Sequence, residues 1–155
     1  LRMHYPASTI TSPGSTLSRE ASKPPPTLSI SFTVVKSKTA TYIALCLDLD
    51  APFPSVAILS PILHGIQADL TPQGEPDAED WIKLTPGAKP TASYLPPNPP
   101  KFSGAHRYVF LIWEQPEGLT KDKIKSDLGL PDEVGLGARI RWDEDSCEKK
   151  LGLGD

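Results

Sequence analysis

The sequence predicts one mostly-β domain carrying short helices near its C-terminus, and three observations support that reading. Eighteen of the 155 residues are proline, with no repeat to organise them; such an excess favours strands joined by fixed turns over a helical bundle. Several short runs are rich in β-branched and aromatic residues and are bounded by turn residues. Helical start and stop signals gather only after Pro116. The length suits a single core, so residues 1–155 are read as one domain, with the C-terminal end open to truncation.

Taken in order, Ser12-Pro13-Gly14-Ser15 signals a turn, and Lys23-Pro24-Pro25-Pro26 a stiff extended connector. In residues 28–35, Leu28, Ile30, Phe32 and Val34 alternate with other residues, as in a half-buried strand. Residues 41–48 are apolar almost throughout, which suits a central strand covered on both faces. Residues 62–70 form a third strand with His64 near its start, and 107–115 the most strand-prone run of all. The stretch 71–100 is loop-rich, with Trp81 and Ile82 as a strand or anchor within it; long loops in compact domains are usually functional. Two short helices follow. One spans 120–128 and is capped by Thr120; the other spans 142–151, capped near Trp142-Asp143 and stopped by Gly152.

The net charge of −3 leaves no electrostatic footprint for nucleic acid. Lys121, Lys123 and Lys125 sit among acids and read as a solvated helix face. No apolar run approaches the ~18 residues that span a bilayer, so no transmembrane segment is expected. A cytoplasmic location follows from this, although a chain beginning at Leu1 leaves a removed signal peptide open. Cys46 falls in an apolar strand and Cys147 in a polar helix, a poor match for a disulfide. Asn98 precedes Pro99 and forms no glycosylation sequon.

The chemistry concentrates in two segments. Asp48-Leu49-Asp50-Ala51-Pro52 ends the central strand, with both carboxylates expected on one face. Two carboxylates that close need partners, so one is expected to pair with Arg107 and the other to face a cavity. A cis bond is expected at Ala51-Pro52 or Phe53-Pro54. His64 follows within an apolar pattern. In the second segment, Tyr94-Leu95-Pro96-Pro97-Asn98-Pro99-Pro100 runs on to Gly104-Ala105-His106-Arg107-Tyr108, placing a second imidazole at the foot of a strand. Tyr94 and Tyr108 can supply phenolic donors. Arg107, next to His106 on a strand, is expected to point to the opposite face.

There is no phosphate loop, no Gly-x-Ser-x-Gly elbow and no metal-ligand spacing. No cofactor and no metal are expected. Any catalysis falls to His and Asp as acid and base, through His64, His106 and Asp48.

Taken together, the two segments resemble the signatures of the phosphatidylethanolamine-binding protein family, in its fungal branch. The first appears as Asp48-Leu49-Asp50-Ala51-Pro52 with His64 at the expected distance; the second ends in Gly104-Ala105-His106-Arg107-Tyr108 and opens with Tyr94. Weaker likeness extends to Ser12-Pro13-Gly14 near the start and Arg141-Trp142-Asp143 near the end. The resemblance implies an antiparallel β-sandwich with a small anion pocket lined by Asp48, Asp50, Pro52, His64, Tyr94, His106 and Tyr108. It departs from the family at Gly65, where fungal members usually carry an aromatic; its absence is expected to open one wall of the pocket. It departs again at Pro96-Pro97-Asn98, which replaces a Gly-x-Gly whose N–H groups help hold the anion, and proline has no N–H to donate.

Three functions follow from the resemblance. The first is binding of a small carboxylate- or phosphate-bearing ligand, or of a lipid headgroup. The second is a fungal secondary-metabolite enzyme that couples or cyclises maleic anhydride units of the nonadride type. The third is a protease inhibitor or signalling partner. The oligomeric state, a homodimer included, is left open.

Overall fold

The computed structural model describes residues 1–154. Among the described residues there are seven antiparallel strands: β1 (Arg2–Tyr5), β2 (Ser8–Ile10), β3 (Thr27–Ser31), β4 (Tyr42–Asp48), β5 (Ile62–Gln73), β6 (Trp81–Pro86) and β7 (Tyr108–Glu114). They follow the order β2-β1-β3-β6-β5-β4-β7. Two helices, α1 (Lys121–Leu128) and α2 (Glu144–Leu151), complete the fold.

Every residue of β4 is buried, as its apolar sequence requires for a strand covered on both faces. Its side chains alternate. Ile43, Leu45 and Leu47 pack with Leu63, Ile66, Ile124, Cys147 and Leu151 in one cluster, beneath the two helices. Tyr42 and Ala44 join Leu28, Ile30, Leu70, Ile82 and Leu84 in a second cluster on the other face. Leu28 of β3 and Phe110 of β7 line one cavity on that inner face. They are four strands apart in the order, or about 19 Å in a flat sheet at ~4.8 Å per strand, so the sheet curls toward itself as a sandwich does.

The corner lies in β5. Asp69 takes a left-handed conformation there, with φ of 55°. Gln115 secures it, accepting from the Asp69 N–H at 2.8 Å and donating back to its carboxylate at 2.8 Å. Beyond this point β5 pairs with β6, while its first half pairs with β4.

The helix ends match their sequence signals. The Thr120 hydroxyl accepts from the Lys123 N–H, the Asp143 carboxylate from the Ser146 N–H, and Gly129 and Gly152 close the two helices in the left-handed region. On α1, Lys123 pairs with Asp127 and Lys125 with Asp132, as befits a solvated face. β3 is shorter than its alternating pattern suggested, because residues Phe32–Val34 turn into a short 3-10 helix. β1 and β2 had no clear sequence signal. Cys46 and Cys147 are both buried and unpaired, Cys147 in the helix-side cluster and Cys46 against the inner cavity.

Candidate functional site

Three strand ends meet beside Asp48. It closes β4, pairs with Ile62 at the start of β5, and pairs with Tyr108 at the start of β7. His106 lies two residues before Tyr108, within reach of the same face. His64 reaches that face by a different route. The β4–β5 register jumps from Cys46↔Gly65 to Leu47↔Leu63, leaving His64 as an extra residue in a bulge. A bulge re-aims the side chain it carries.

The result is a compact, buried polar group. Asp48 and His64 are both buried, and the His106 side chain is only 1% exposed. His106 Nδ1 donates to Asp48 Oδ2 at 2.9 Å, because a carboxylate can only accept. Asp48 Oδ1 accepts from the Asp50 N–H at 2.9 Å. His64 Nδ1 donates to the Leu95 carbonyl at 2.6 Å, and its Nε2 stands 3.9 Å from Asp48 Oδ2, the oxygen that His106 bonds. Tyr108 meets the His64 ring edge-on, with centroids 5.1 Å apart, and lies nearly parallel to the His106 ring at 6.3 Å.

The protonation states follow from these partners. Burial pushes the His64 pKa down, against the opposing pull of the Leu95 carbonyl and Asp48. Neutral His64 therefore keeps its proton on Nδ1 and turns an Nε2 lone pair inward. Burial, and then the neighbouring Asp48 charge, push the Tyr108 phenol up, so it remains a donor near neutral pH. Two atoms of the group are buried without a hydrogen-bond partner: His106 Nε2 and the Tyr108 hydroxyl. Asp48 fixes the tautomer of His106, with the proton on Nδ1 and Nε2 left without a partner.

Asp50 has a different role. The expectation that it shares a face with Asp48 does not hold, because β4 ends at Asp48 and the period-two rule ends with it. Both Asp50 oxygens face Arg107, accepting from its N–H at 2.7 Å, its Nε at 2.9 Å and its Nη2 at 2.7 Å. The Arg107 hydrogen bonds hold the Asp50 carboxyl below its ordinary pKa. Pro52 follows a cis Ala51-Pro52 bond, in the turn that carries the chain away from the group.

Tyr94 also stands apart. Its hydroxyl donates to the Ser22 carbonyl at 2.8 Å, and it lines the apolar cavity of the inner face. Gly65, expected to widen the anion pocket, lines that cavity too; a Cβ there would rest 3.5 Å from Tyr94 Cα and 3.6 Å from the Ala92 carbonyl. The opening it leaves therefore belongs to the cavity and not to the His–Asp group. Gly104 has a φ of 78° and nothing beside it, so a turn explains that glycine.

Sequence reasoning missed Arg139, which is buried and donates to the carbonyls of Val134 and Leu63. Its charge adds to the forces keeping His64 neutral. The only hint was a lone arginine after Gly135-Leu136-Gly137. Among the described residues, no group of three or more His, Cys, Asp or Glu side chains is placed to hold a metal ion, and no helix is long and apolar enough to cross a membrane.

Comparison with known proteins agrees with this fold. The chain is 27% identical over 144 residues to the carboxypeptidase Y inhibitor of Saccharomyces cerevisiae, covering 80% of this chain and 66% of that protein. It is 31% identical over 107 residues to the uncharacterized protein YLR179C of the same yeast, covering 68% of this chain and 52% of that one. The chain thus spans between half and two thirds of the length of these relatives. A crystal structure of carboxypeptidase Y inhibitor complexed with its cognate proteinase superposes with a TM-score of 0.73 at 25% identity, over 98% of this chain and 76% of that one. The model of the phosphatidylethanolamine-binding protein family matches residues 7–146, and with nearly the whole domain matched, the chain belongs to that family.

Proposed function

We propose that this protein binds a small oxyanion, a carboxylate or phosphate group, at Asp48, His64, His106 and Tyr108. One observation carries the reading: His106 Nε2 and the Tyr108 hydroxyl are buried in the same group and have no hydrogen-bond partner. An unpaired buried polar atom costs about 1–3 kcal/mol and calls for an explanation; two of them within one His–Asp–Tyr group are accounted for by a bound ligand. An oxyanion accepts from both once His106 carries its second proton. Asp48 then neutralises the imidazolium, and the Tyr108 phenol supplies a second donor.

The buried setting suits a headgroup-sized ligand. Titration calorimetry with inorganic phosphate and with acetate tests the reading. Binding by the parent protein that is lost in His106→Ala is the expected result. Binding that is unchanged in His106→Ala would refute the reading.

A second reading is favoured by the relatives: inhibition of a carboxypeptidase, in keeping with the yeast carboxypeptidase Y inhibitor. An assay of carboxypeptidase Y with increasing amounts of this protein decides it. The coupling-enzyme alternative would use the Asp48–His106 pair as its base, and loss of turnover in His106→Ala would be its signature.

A further inference from the structure

β7 has the sequence of an interior strand but stands at an edge of the sheet. Its residues Tyr108 to Trp113 carry large hydrophobic side chains on both faces, as in strands covered front and back. Leu111 and Trp113 pack against the helix-side cluster, Phe110 and Ile112 against the inner one. Yet all of Tyr108 to Trp113 remain half-buried, while every residue of β4 is buried. The difference is a neighbour, because β7 ends the strand order and pairs with β4 alone. The other edge is guarded: β2 is short and two of its three residues are polar. Edge strands avoid pairing by being short or by carrying lysine, proline or a bulge. β7 has none of these, and its register against β4 runs unbroken from Tyr108 to Glu114.

The bonding pattern shows which backbone groups are free. The Leu49 N–H donates to the Arg107 carbonyl and the Gln115 N–H to the Thr41 carbonyl, so odd-numbered residues of β7 turn their backbone groups toward β4. The even-numbered ones, Tyr108, Phe110, Ile112 and Glu114, turn theirs outward. Among the described residues no other strand or turn meets them there. The strand is its own complement. A two-fold axis at Leu111 sets it antiparallel to a second β7, with Tyr108 opposite Glu114 of the second copy and Phe110 opposite Ile112. Each such pair exchanges both of its hydrogen bonds. Val109 then lies opposite Trp113, and Leu111 opposite its own copy. The two Glu114 carboxylates, the only charges in β7, stand at opposite ends of the ribbon, about 20 Å apart at ~3.4 Å per residue. No other register pairs the whole strand.

We propose that this protein associates with a second copy of itself through antiparallel β7–β7 pairing centred on Leu111. In sedimentation velocity at rising protein concentration, the mass should climb from 16.8 kDa toward twice that value. Amide exchange followed by NMR on the same samples reads the edge itself. The outward N–H groups of Phe110 and Ile112 should slow about tenfold or more as the dimer fills, since exchange requires the pairing to open. Those of Val109 and Leu111, already bonded to β4, should be slow throughout. Leu111→Cys should form a disulfide-linked dimer on oxidation, because residues facing each other without mutual hydrogen bonds have Cα atoms about 4.5 Å apart, within disulfide reach. Val109 belongs to neither hydrophobic cluster, so Val109→Lys should fold; its charge enters the interface twice and should weaken association about tenfold or more. A single 16.8 kDa species at every concentration, or Phe110 and Ile112 exchange that ignores concentration, would overturn the proposal without recourse to any variant. So would a folded dimer that Leu111→Cys fails to link or Val109→Lys fails to weaken.

Discussion

On one side of β4, Ile43, Leu45 and Leu47 are sealed beneath two helices with almost no exposure. On the other side, Tyr42, Ala44, Cys46 and Asp48 run from an apolar cluster, past a cavity, to a buried carboxylate. The same seven residues thus build a filled interior and an unfilled one. The difference lies in residue size and in where polar atoms are admitted. The helix side closes with large aliphatic residues, as a core does. The inner side leaves volume beside Ala44 and Gly65, and unpaired polar atoms beside Asp48. On this division stability resides mainly on the first side, and the proposed ligand chemistry on the second.

The largest expected effect tests that division directly. Ile43→Ala removes a fully buried side chain from the helix-side cluster and should cost about 2–5 kcal/mol. Ala44→Val, one residue along, adds bulk toward the cavity and should leave stability within about 1 kcal/mol of the parent or raise it. Urea unfolding of both variants makes the comparison. Equal losses would mean that the inner face is packed as tightly as the outer one.

Tyr108→Phe addresses the polar end of the inner face. It removes a buried hydroxyl without a hydrogen-bond partner, so unfolding stability should hold or rise by about 1 kcal/mol. Phosphate affinity should fall about tenfold, the loss of one hydrogen bond to a charged group. A variant that lost both stability and affinity would show that the hydroxyl serves the fold.

Much of this was legible in the sequence, and the limits have physical causes. The strand core of residues 41–48, the helix caps at Thr120 and Asp143, and the pairing of one aspartate with Arg107 rest on local rules: alternation, capping and charge neutralisation. Of the residues expected in the pocket, Asp48, His64, His106 and Tyr108 do converge. How His64 arrives there was not readable, because a bulge is a single-residue register shift that reverses a side chain's face. Tyr94 and Gly65 were assigned to the wrong space for a related reason. The cavity they line arises from small residues on different strands, so no stretch of sequence contains it. β1 and β2 escaped notice because Arg2–Tyr5 and Ser8–Ile10 are short and partly polar, and depend on pairing with each other and with β3.

The pH dependence of stability separates the two ends of the Asp48–Asp50 segment. His64 is held below its ordinary 6.5 by burial. Its contribution is complete above that value; below it the unfolded chain binds a proton that the folded one refuses, so stability falls as pH drops toward the folded pKa. Asp50 is held below its ordinary 3.8, chiefly by Arg107. Its contribution is complete above 3.8 and is lost only as pH falls through the lower folded value. Unfolding curves between pH 8 and 2 should therefore show two separate declines. His64→Gln should abolish the upper one and Asp50→Asn should reduce the lower, where Asp77, also held down by backbone N–H groups, still contributes. If His64→Gln leaves the upper decline intact, another group is responsible for it.

The smallest effect is expected from Arg107→Lys, and it discriminates most finely between the neighbouring carboxylates. Arg107 holds Asp50 through Nε and Nη2 together, a fork that lysine cannot reproduce. The backbone N–H of residue 107 still reaches Asp50, and the side chain is largely exposed, so the protein should fold with only a slight fall in melting temperature. Phosphate affinity should stay within about twofold, since exposed charges contribute little at a distance and Asp48, not Asp50, meets the imidazoles. A larger drop in affinity than in stability would place Asp50 and Arg107 inside the binding site. The division between a carboxylate that turns the chain and one that serves the ligand would then have to be redrawn.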